Sequence, residues 1–307
     1  MKYPKEYLEE IKSRLKVSTV VSRSVNLKKR GKEFIGLSPF TNEKTPSFTV
    51  NDQKGFYHCF SSSEHGNIFD FLMKTANMKF GEVVRTLAVE AGLPIYKFTK
   101  LDEEKEKKWQ LYSKILEQYK SYYHNALKNK KSKELESYLC KRGLTDKEIN
   151  YFKIGFVPKE AVFFDKLKDN FSESDILNSG LFYFDEKNKK YVERFRDRLI
   201  FPINGLTGST VAFGGRIISN QKLAKYINSP ETFFFKKGNS LFNLDKSRHF
   251  SAKHNEVFLV EGYMDVVTLT KYGILNTVAN LGTALTERQV ETAWRFFNHI
   301  IICFDGD

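Results

Sequence analysis

Cysteine is scarce in this sequence, which has three, Cys59, Cys140 and Cys303, among 307 residues. They lie far apart and form no C-x-x-C pair, which excludes a disulfide framework. A reducing compartment fits this cysteine usage best. We therefore expect a cytoplasmic protein.

Long apolar runs are missing as well. No run approaches the ~18 consecutive apolar residues that span a bilayer. Residues 1–6 lack the apolar segment of a secretory signal peptide. The sequence also contains no internal repeats and no low-complexity segment. We expect a chain with no membrane partner.

Acidic residues are too few to balance the basic ones. Lys and Arg number 50 against 37 Asp and Glu, which gives a formal net charge of +13. A basic excess favours an anionic partner, nucleic acid first and an anionic membrane second. Charge alone leaves open a basic surface with no specific partner.

Hydrophobic periodicity predicts an α+β multidomain chain. Residues 1–98 are predicted to form a small α+β domain, with a helix that Asn67 caps. The charged run 99–108 is a linker or the solvated start of a helix, and we place a domain boundary there. A mixed α+β lobe follows over 109–250. Residues 255–307 alternate strands and helices, which predicts an α/β domain with a Rossmann-like parallel sheet.

Acidic residues follow two apolar strands of that last domain. Glu261 follows the strand predicted over 257–260, while Asp305 and Asp307 follow the strand predicted over 299–304. Open α/β sheets bind ligands at the carboxyl ends of their strands, and carboxylates suit Mg²⁺. Acidic residues after strands are also common as helix caps or solvated turns, so this reading stays open.

A basic block precedes the predicted strand 199–203. Arg194, Arg196 and Arg198 alternate, which on a strand would put their guanidinium groups on one face to grip phosphates. Arg216 follows a pair of glycines, and Tyr226 offers a ring for stacking on a base or sugar. The alternative is a salt-bridged polar face in which neighbouring carboxylates pair with the arginines.

Several ordered motifs resemble bacterial replicative DNA primases of the DnaG type. The motifs are E-R-F-R-D-R (193–198), G-G-R (214–216), K-Y-I-N-S-P-E-T (225–232), E-G-Y-M-D-V (261–266), L-G-T-A-L-T (281–286) and D-G-D (305–307). Segments 27–31, 42–48 and 69–72 resemble the zinc-binding domain of that family. The resemblance covers essentially the whole chain.

The resemblance implies a catalytic core that ends in a Toprim metal fold from about residue 255. The residues it implies for catalysis and for Mg²⁺ or Mn²⁺ are acidic: Glu261, Asp265, Asp305 and Asp307. Those it implies for the template and nucleotide groove are Arg194, Arg196, Arg198, Arg216, Lys225, Tyr226 and Asn228. Single-stranded DNA, nucleoside triphosphates and a replicative helicase would be the partners, in a nucleoid-associated setting.

The zinc site departs from the family pattern C-x-x-H followed by C-x-x-C. The corresponding positions are Ser38, Thr41, Cys59 and Ser62. Neutral hydroxyls are poor Zn²⁺ ligands, and a site rebuilt from the nearby histidines is a minor alternative. We predict a zinc-free domain that keeps its ribbon shape. The aromatic residues expected to offset the missing zinc, at roughly 2–3 kcal/mol each when buried, are Phe40, Phe48, Phe56, Phe60, Phe69 and Phe71.

The expected function is DNA-directed synthesis of short RNA primers by metal-dependent nucleotidyl transfer. The resemblance also implies further strands of the Toprim sheet and a helicase-binding domain beyond residue 307, so we expect a fragment with an incomplete sheet and an exposed last strand. The alternatives are an inactive module that only binds single-stranded DNA, or another Toprim enzyme. A topoisomerase would carry the metal fold near its N-terminus, which disfavours that class.

Overall fold

The computed structural model describes residues 3–129, 132–219, 223–282 and 284–304. The chain divides into two compact units, Met1–Glu106 and Lys107–Asp307. Within the described ranges, none of the helices has both the length and the apolarity that a membrane crossing needs.

The first unit combines an antiparallel sheet with helices. Its strands pair in sequence order, each antiparallel to the next. Its elements are α1 (Lys5–Arg14), α2 (Val17–Val21), β1 (Lys28–Arg30), β2 (Glu33–Gly36), β3 (Phe48–Asn51), β4 (Phe56–Cys59), β5 (His65–Gly66), α3 (Ile68–Thr75) and α4 (Phe80–Glu90).

Asn67 caps α3, as the sequence predicted. Its side chain accepts hydrogen bonds from the N–H groups of Phe69 and Asp70, and the Asp70 carboxylate accepts from the Asn67 N–H at 2.9 Å. This reciprocal capping box satisfies donors that the first helical turn leaves unpaired. The helix therefore begins at a position that its local sequence dictates.

An aromatic cluster forms the centre of this unit. Phe48, Tyr57 and Phe71 are fully buried, and the rings of Phe48 and Tyr57 stack with centroids 5.3 Å apart. The predicted burial of Phe60 is wrong, because its side chain is 67% exposed. Side chains alternate along a strand, and the inward positions of β4 belong to Tyr57 and Cys59.

The charged run is helical rather than a linker from Lys100 onward. The Thr99 N–H donates to the Asp102 carboxylate at 2.9 Å, and the Asp102 N–H donates back to the Thr99 hydroxyl at 3.2 Å. These bonds start α5 (Lys100–Asn129). The boundary between the two compact units falls inside this helix, after Glu106.

The second unit contains an antiparallel lobe followed by a parallel sheet. Its helices after α5 are α6 (Lys133–Lys141), α7 (Asp146–Phe152), α8 (Phe163–Lys168), α9 (Glu173–Asn178), α10 (Leu244–Ser247), α11 (Ser251–His254), α12 (Tyr263–Lys271) and α13 (Glu287–Trp294), with short 3₁₀ turns at Lys237–Asn239 and Arg248–Phe250. Its strands are β6 (Gly155–Val157), β7 (Phe182–Asp185), β8 (Lys190–Glu193), β9 (Arg198–Asn204), β10 (Thr210–Ile217), β11 (Tyr226–Asn228), β12 (Glu256–Val260), β13 (Thr277–Ala279) and β14 (His299–Cys303).

Three sheets organise these strands. One is antiparallel with the order β11-β10-β9-β6, and a second is the hairpin β7-β8. The third has the order β13-β12-β14 with all strands parallel, which confirms the predicted parallel sheet. In it β14 lies at an edge, and Ile302 is 57% exposed.

A single apolar core joins the antiparallel lobe to the parallel sheet. Phe201 of β9 and Ala212 of β10 pack in the same buried cluster as Val260, Val266 and Ala279. Full burial of one large aliphatic or aromatic side chain stabilises the fold by roughly 1.5–3 kcal/mol. The loops after β12 and β13 are therefore held against the antiparallel lobe.

Candidate functional site

Glu261 lies at the carboxyl edge of the parallel sheet. β12 pairs with β14 in a register that sets Val260 opposite Cys303. Because the strands are parallel, Glu261 leaves the sheet at the edge where ligands bind in open α/β folds. Asp305 and Asp307 lie outside the described residues. Among those that are described, no three His, Cys, Asp or Glu side chains are grouped to hold a metal ion.

The Asp265 carboxylate caps the helix that follows Glu261. The Gly262 N–H donates to the Asp265 Oδ2 at 3.0 Å, three residues apart as in a capping box. This bond fixes the direction in which the chain leaves β12. A structural role for Asp265 is thus visible, and its predicted role at a metal site stays a prediction.

The basic block does not form one face of a strand, so that part of the sequence interpretation is wrong. Arg194 and Arg196 lie in the turn between β8 and β9, and Arg198 is the first residue of β9. Asp197 has φ = +59°, in the left-handed region, which interrupts the extended backbone. The alternating arginines therefore belong to a turn that connects two different sheets.

The three arginines of this block have different surroundings. The Arg194 Nε donates to the Gly180 carbonyl at 3.0 Å, and Arg196 is exposed. Arg198 is only 5% exposed, and its Nη1 donates to the Lys225 carbonyl at 3.3 Å. Arg196 is therefore the member of the block that presents its charge to solvent.

Glu193 pairs with neutral donors rather than with the arginines. Its carboxylate accepts hydrogen bonds from the Tyr123 hydroxyl at 2.6 Å and from the Phe163 N–H at 2.7 Å. The side chain is 2% exposed, and burial raises the pKa of its carboxyl. The structure therefore does not show the salt-bridged face at Glu193. Instead, the buried Glu193 carboxylate connects α5 to the start of α8 inside the lobe.

Arg216 on β10 faces Tyr226 on the neighbouring strand β11. Its Nε donates to the Tyr138 hydroxyl at 2.5 Å, and its guanidinium lies 4.8 Å from the centre of the Tyr226 ring. Arg216 is 4% exposed, whereas Tyr226 is 36% exposed and Lys225 is exposed. A buried cation thus packs against an exposed ring, and the residue before that ring carries an exposed amine.

Asn228 connects β11 to the parallel-sheet domain. Its Nδ2 donates to the Leu281 carbonyl at 2.8 Å, just beyond β13. Its Oδ1 accepts a hydrogen bond from the Tyr263 hydroxyl, at the start of α12. The strand that begins at Tyr226, directly after Lys225, is therefore tied to the loop that carries Glu261.

Tyr263 and Gly214 complete this joint, by which we mean the contact through Asn228 between β11 and the parallel-sheet domain. Neither residue was predicted as a site residue. A Cβ atom on Gly214 would overlap the Tyr263 ring. The ring also stacks on Phe201, with centroids 5.4 Å apart and planes 8° apart, and burial raises the pKa of Tyr263. Two adjacent glycines inside an apolar strand were the sequence signal, because they indicate a close approach.

The four zinc-ligand positions of the first unit lie at two turns. The Cys59 Sγ is buried and 3.1 Å from the Ser38 Oγ. The Ser38 Oγ accepts hydrogen bonds from the N–H groups of Phe40 and Thr41, at 3.0 and 3.1 Å. In the second turn the Cys59 Sγ lies 3.3 Å from the Ser61 Oγ, and the Ser62 Oγ accepts from the Glu64 N–H at 3.3 Å. The backbone thus gathers the positions although their side chains differ from the family pattern.

The donor chemistry at these turns does not fit zinc. Burial alone would raise the pKa of the Cys59 thiol, but hydrogen bonds with the hydroxyls of Ser38, Ser61 and Ser62 lower it to about 7. The set thus holds one thiol and three hydroxyls, while structural Zn²⁺ sites use four thiolate or imidazole donors.

Comparison with known families divides the chain into three matched segments. Residues 3–103 match the CHC2 zinc finger family, residues 122–248 match the N-terminal domain of the DNA primase catalytic core, and residues 255–307 match the Toprim domain. The chain is therefore similar to primases along almost its whole length.

Individual relatives agree with these matches. The DNA primase of Escherichia coli K12 is 36% identical over 311 aligned residues, covering 99% of this chain and 53% of the relative. The crystal structure of Aquifex aeolicus primase zinc-binding and RNA polymerase domains is 30% identical with a TM-score of 0.60, covering 98% of this chain and 72% of that one. The structure of a DnaG primase catalytic domain bound to single-stranded DNA is 34% identical with a TM-score of 0.61. The match covers 66% of this chain and 63% of that one. The chain spans about half the length of the curated relatives it matches.

Proposed function

The chain belongs to the DnaG-type family of bacterial DNA primases, and from this premise we propose that it synthesises short RNA primers on single-stranded DNA. The substrates would be nucleoside triphosphates, and the reaction would be nucleotidyl transfer in the bacterial cytoplasm. The observation that carries the proposal is the pair of hydrogen bonds through Asn228, which ties strand β11, with its Tyr226 ring and the Lys225 that precedes it, to the acidic loop after β12. On family resemblance alone, we also propose the replicative helicase as a partner.

Exposed cations and rings of the second unit would hold the template. Arg196 and Lys225 are exposed and carry the charge that phosphates require. The Tyr226 ring offers a stacking surface, and the buried guanidinium of Arg216 packed against it fixes its position. Binding through such groups is independent of base sequence and weakens as salt is added.

The acidic residues would bind Mg²⁺ or Mn²⁺. Glu261 is a hard oxygen donor at the carboxyl edge of the sheet, and the sequence adds Asp305 and Asp307. When bound, such ions activate an attacking 3′-hydroxyl and neutralise charge on the leaving pyrophosphate. The capping bond from Gly262 to Asp265 orients the backbone directly after Glu261. The joint through Asn228 then sets the distance between this loop and the template-binding strand.

The first unit would support template binding without zinc. Its segment matches a zinc finger family, but only Cys59 among its four ligand positions retains a metal-binding side chain. We therefore propose that Mg²⁺ or Mn²⁺ is the metal requirement of this chain. No step of the proposed reaction depends on zinc.

A primer-synthesis assay with labelled ribonucleotides on a single-stranded template tests the function. We expect synthesis by the wild type, and a loss of at least about 100-fold in Glu261→Gln because the carboxylate oxygens are removed. Glu256→Gln is the matched control, since Glu256 lies at the opposite end of the same strand. It should retain wild-type activity.

Each outcome of this assay has a distinct meaning. Activity that survives in Glu261→Gln would reject the metal assignment. The absence of primers from all three proteins, together with salt-sensitive DNA binding, would favour a module that binds single-stranded DNA without synthesis. A loss of activity in both variants would point to a stability effect on β12 instead of a role in chemistry.

A further inference from the structure

The two turns of the ribbon are connected by a network of hydrogen bonds that includes the Glu43 carboxylate. The Glu43 Oε1 accepts from the N–H groups of Ser38 and Ser47, at 2.7 and 3.1 Å. Its Oε2 accepts from the Ser47 hydroxyl at 2.6 Å. Hydrogen bonds to an ionised acceptor are stronger than those between neutral groups. Glu43 thus anchors the first turn and the start of β3 at once.

The same set of bonds reaches the second turn. The Ser47 Oγ lies 2.8 Å from the Ser61 Oγ, which in turn lies 2.8 Å from the Thr41 Oγ1 and 3.3 Å from the Cys59 Sγ. The Ser47 carbonyl also accepts from the N–H that follows Cys59, at 3.0 Å. A continuous path of hydrogen bonds therefore joins the two segments that a zinc ion would otherwise join.

We propose that this polar cluster, centred on Glu43, has replaced zinc as the cross-link of the ribbon. The cluster comprises Ser38, Thr41, Glu43, Ser47, Cys59 and Ser61. Hydroxyls, which bind Zn²⁺ poorly, are good hydrogen-bond partners for one another and for a carboxylate. The inference rests on the zinc-free reading of the ribbon proposed above, and it names what takes over the role of the metal.

The stacked rings of the ribbon explain why hydrogen bonds suffice. Phe48, Tyr57 and Phe71 are buried and pack on one another, and Phe48 lies opposite Cys59 in the β3–β4 pairing. Small zinc domains that lack such a core are unfolded without metal. Here the apolar core stabilises the unit, and the polar cluster only has to hold the turns in place.

Restoring the ligands should restore zinc binding, because the backbone still gathers the four positions. The variant Ser38→Cys/Thr41→His/Ser62→Cys, made in the full chain, recreates the family pattern together with Cys59. Elemental analysis after dialysis against micromolar zinc should give about one equivalent for this variant and none for the wild type. One equivalent in the wild type would reject the zinc-free proposal itself.

The role of Glu43 is tested separately by hydrogen–deuterium exchange of the full chain. Exchange of the backbone amides in β3 and β4 should become at least about tenfold faster in Glu43→Ala, because the first turn and Ser47, which links to the second turn through Ser61, lose their common acceptor. Glu64→Ala is the matched control, a ribbon glutamate whose carboxylate forms an ion pair with Lys74 at the surface. It should change exchange less than about twofold.

The two experiments together separate the possible results. In the zinc-loaded triple variant, Glu43→Ala should accelerate exchange less than about threefold, since the metal then holds the turns. Unchanged exchange in Glu43→Ala of the otherwise wild-type chain would overturn the proposal even if zinc is absent. A folded triple variant that binds no zinc would show that the turns no longer present ligand geometry, which would also contradict it.

Discussion

The contact between Gly214 and the Tyr263 ring should make Gly214→Ala far more harmful than an average glycine-to-alanine change. A methyl group on Gly214 would occupy the space of the ring. The ring also stacks on Phe201, the cross-strand partner of Gly214, and its hydroxyl donates to Asn228. It therefore moves only by breaking one of these contacts.

The expected cost has two parts. Overpacking in a well-packed core costs typically 1–3 kcal/mol, and loss of the Tyr263–Asn228 hydrogen bond adds about 0.5–1.5 kcal/mol. We therefore expect a loss of about 2–4 kcal/mol in the free energy of unfolding of the second unit. With a denaturant dependence of about 3 kcal/mol per molar urea, the midpoint falls by about 1 M. Primer synthesis should fall by at least about tenfold, because the ring sets the loop that carries Glu261.

Tryptophan fluorescence during urea unfolding measures this effect selectively. Both tryptophans, Trp109 and Trp294, belong to the second unit. Gly205→Ala is the matched control in the β9–β10 connection, where a Cβ atom would meet the nearest side chain at an ordinary 3.4 Å. It should change the stability by less than about 0.5 kcal/mol.

A double-mutant cycle gives the decisive comparison. Tyr263→Leu removes the ring, so Gly214→Ala should cost at least about 1 kcal/mol less in that background than in the wild type. Equal costs in the two backgrounds would refute the steric reasoning. So would a Gly214→Ala protein with the wild-type urea midpoint and full activity.

Three further predictions concern single groups. Burial raises the pKa of the Glu193 carboxyl, so its contribution to stability is present below the ordinary glutamate pKa and is lost as pH rises through the raised value in the folded chain. The unfolding free energy of wild type minus Glu193→Gln, from urea titrations between about pH 4 and pH 7, should therefore fall as pH rises; a constant difference would contradict this. The Tyr57 hydroxyl is buried with no hydrogen-bond partner among the described residues, so Tyr57→Phe should leave amide exchange in β3 and β4 unchanged or slow it by up to about tenfold; clearly faster exchange would argue against an unpaired hydroxyl. Arg196→Ala and Lys225→Ala should each reduce the slope of log affinity for single-stranded DNA against log salt by about 0.7, whereas the control Lys189→Ala, in the β7–β8 turn, should not; equal slopes for all three would remove both residues from the proposed groove.

Local signals in the sequence were sufficient for much of the fold. The cap at Asn67 and the apolar strands around residues 257–260 and 299–304 depend on neighbouring residues and on periodicity, and both appear as predicted. The start of α5 was also encoded locally, since Thr99 and Asp102 form its capping contacts. That signal was obscured by the charged residues around it, which are equally typical of a linker.

The backbone conformation of the basic block could not be predicted from its own sequence. Alternating arginines fit a strand, but Asp197 adopts a left-handed conformation and the chain changes sheets. The Phe195 side chain of the block packs closely against Gly215 of β10, where a Cβ atom would collide with its ring. Periodicity does not report such a contact between residues twenty positions apart.

The candidate site was predictable in its residue types but not in its connections. The sequence indicated Glu261, Lys225 and Tyr226 as separate motifs, while the bonds through Asn228 and the stacking of Tyr263 depend on the packing of one domain on another. The ribbon shows the same limit. The missing zinc ligands can be read from the sequence, but the hydrogen-bond network through Glu43, Ser47 and Ser61 that joins the two turns is visible only after folding.

The packing of the Tyr263 ring against Gly214 has a consequence for the evolution of these two positions. A larger residue at position 214 would be tolerated only with a smaller one at position 263, because both compete for one volume. Each change made alone would pass through a destabilised intermediate. Substitutions at the two positions should therefore appear as pairs among descendants of this chain. Two motifs that are separate in the sequence thus behave as a single heritable unit, which constrains how the loop carrying Glu261 can evolve.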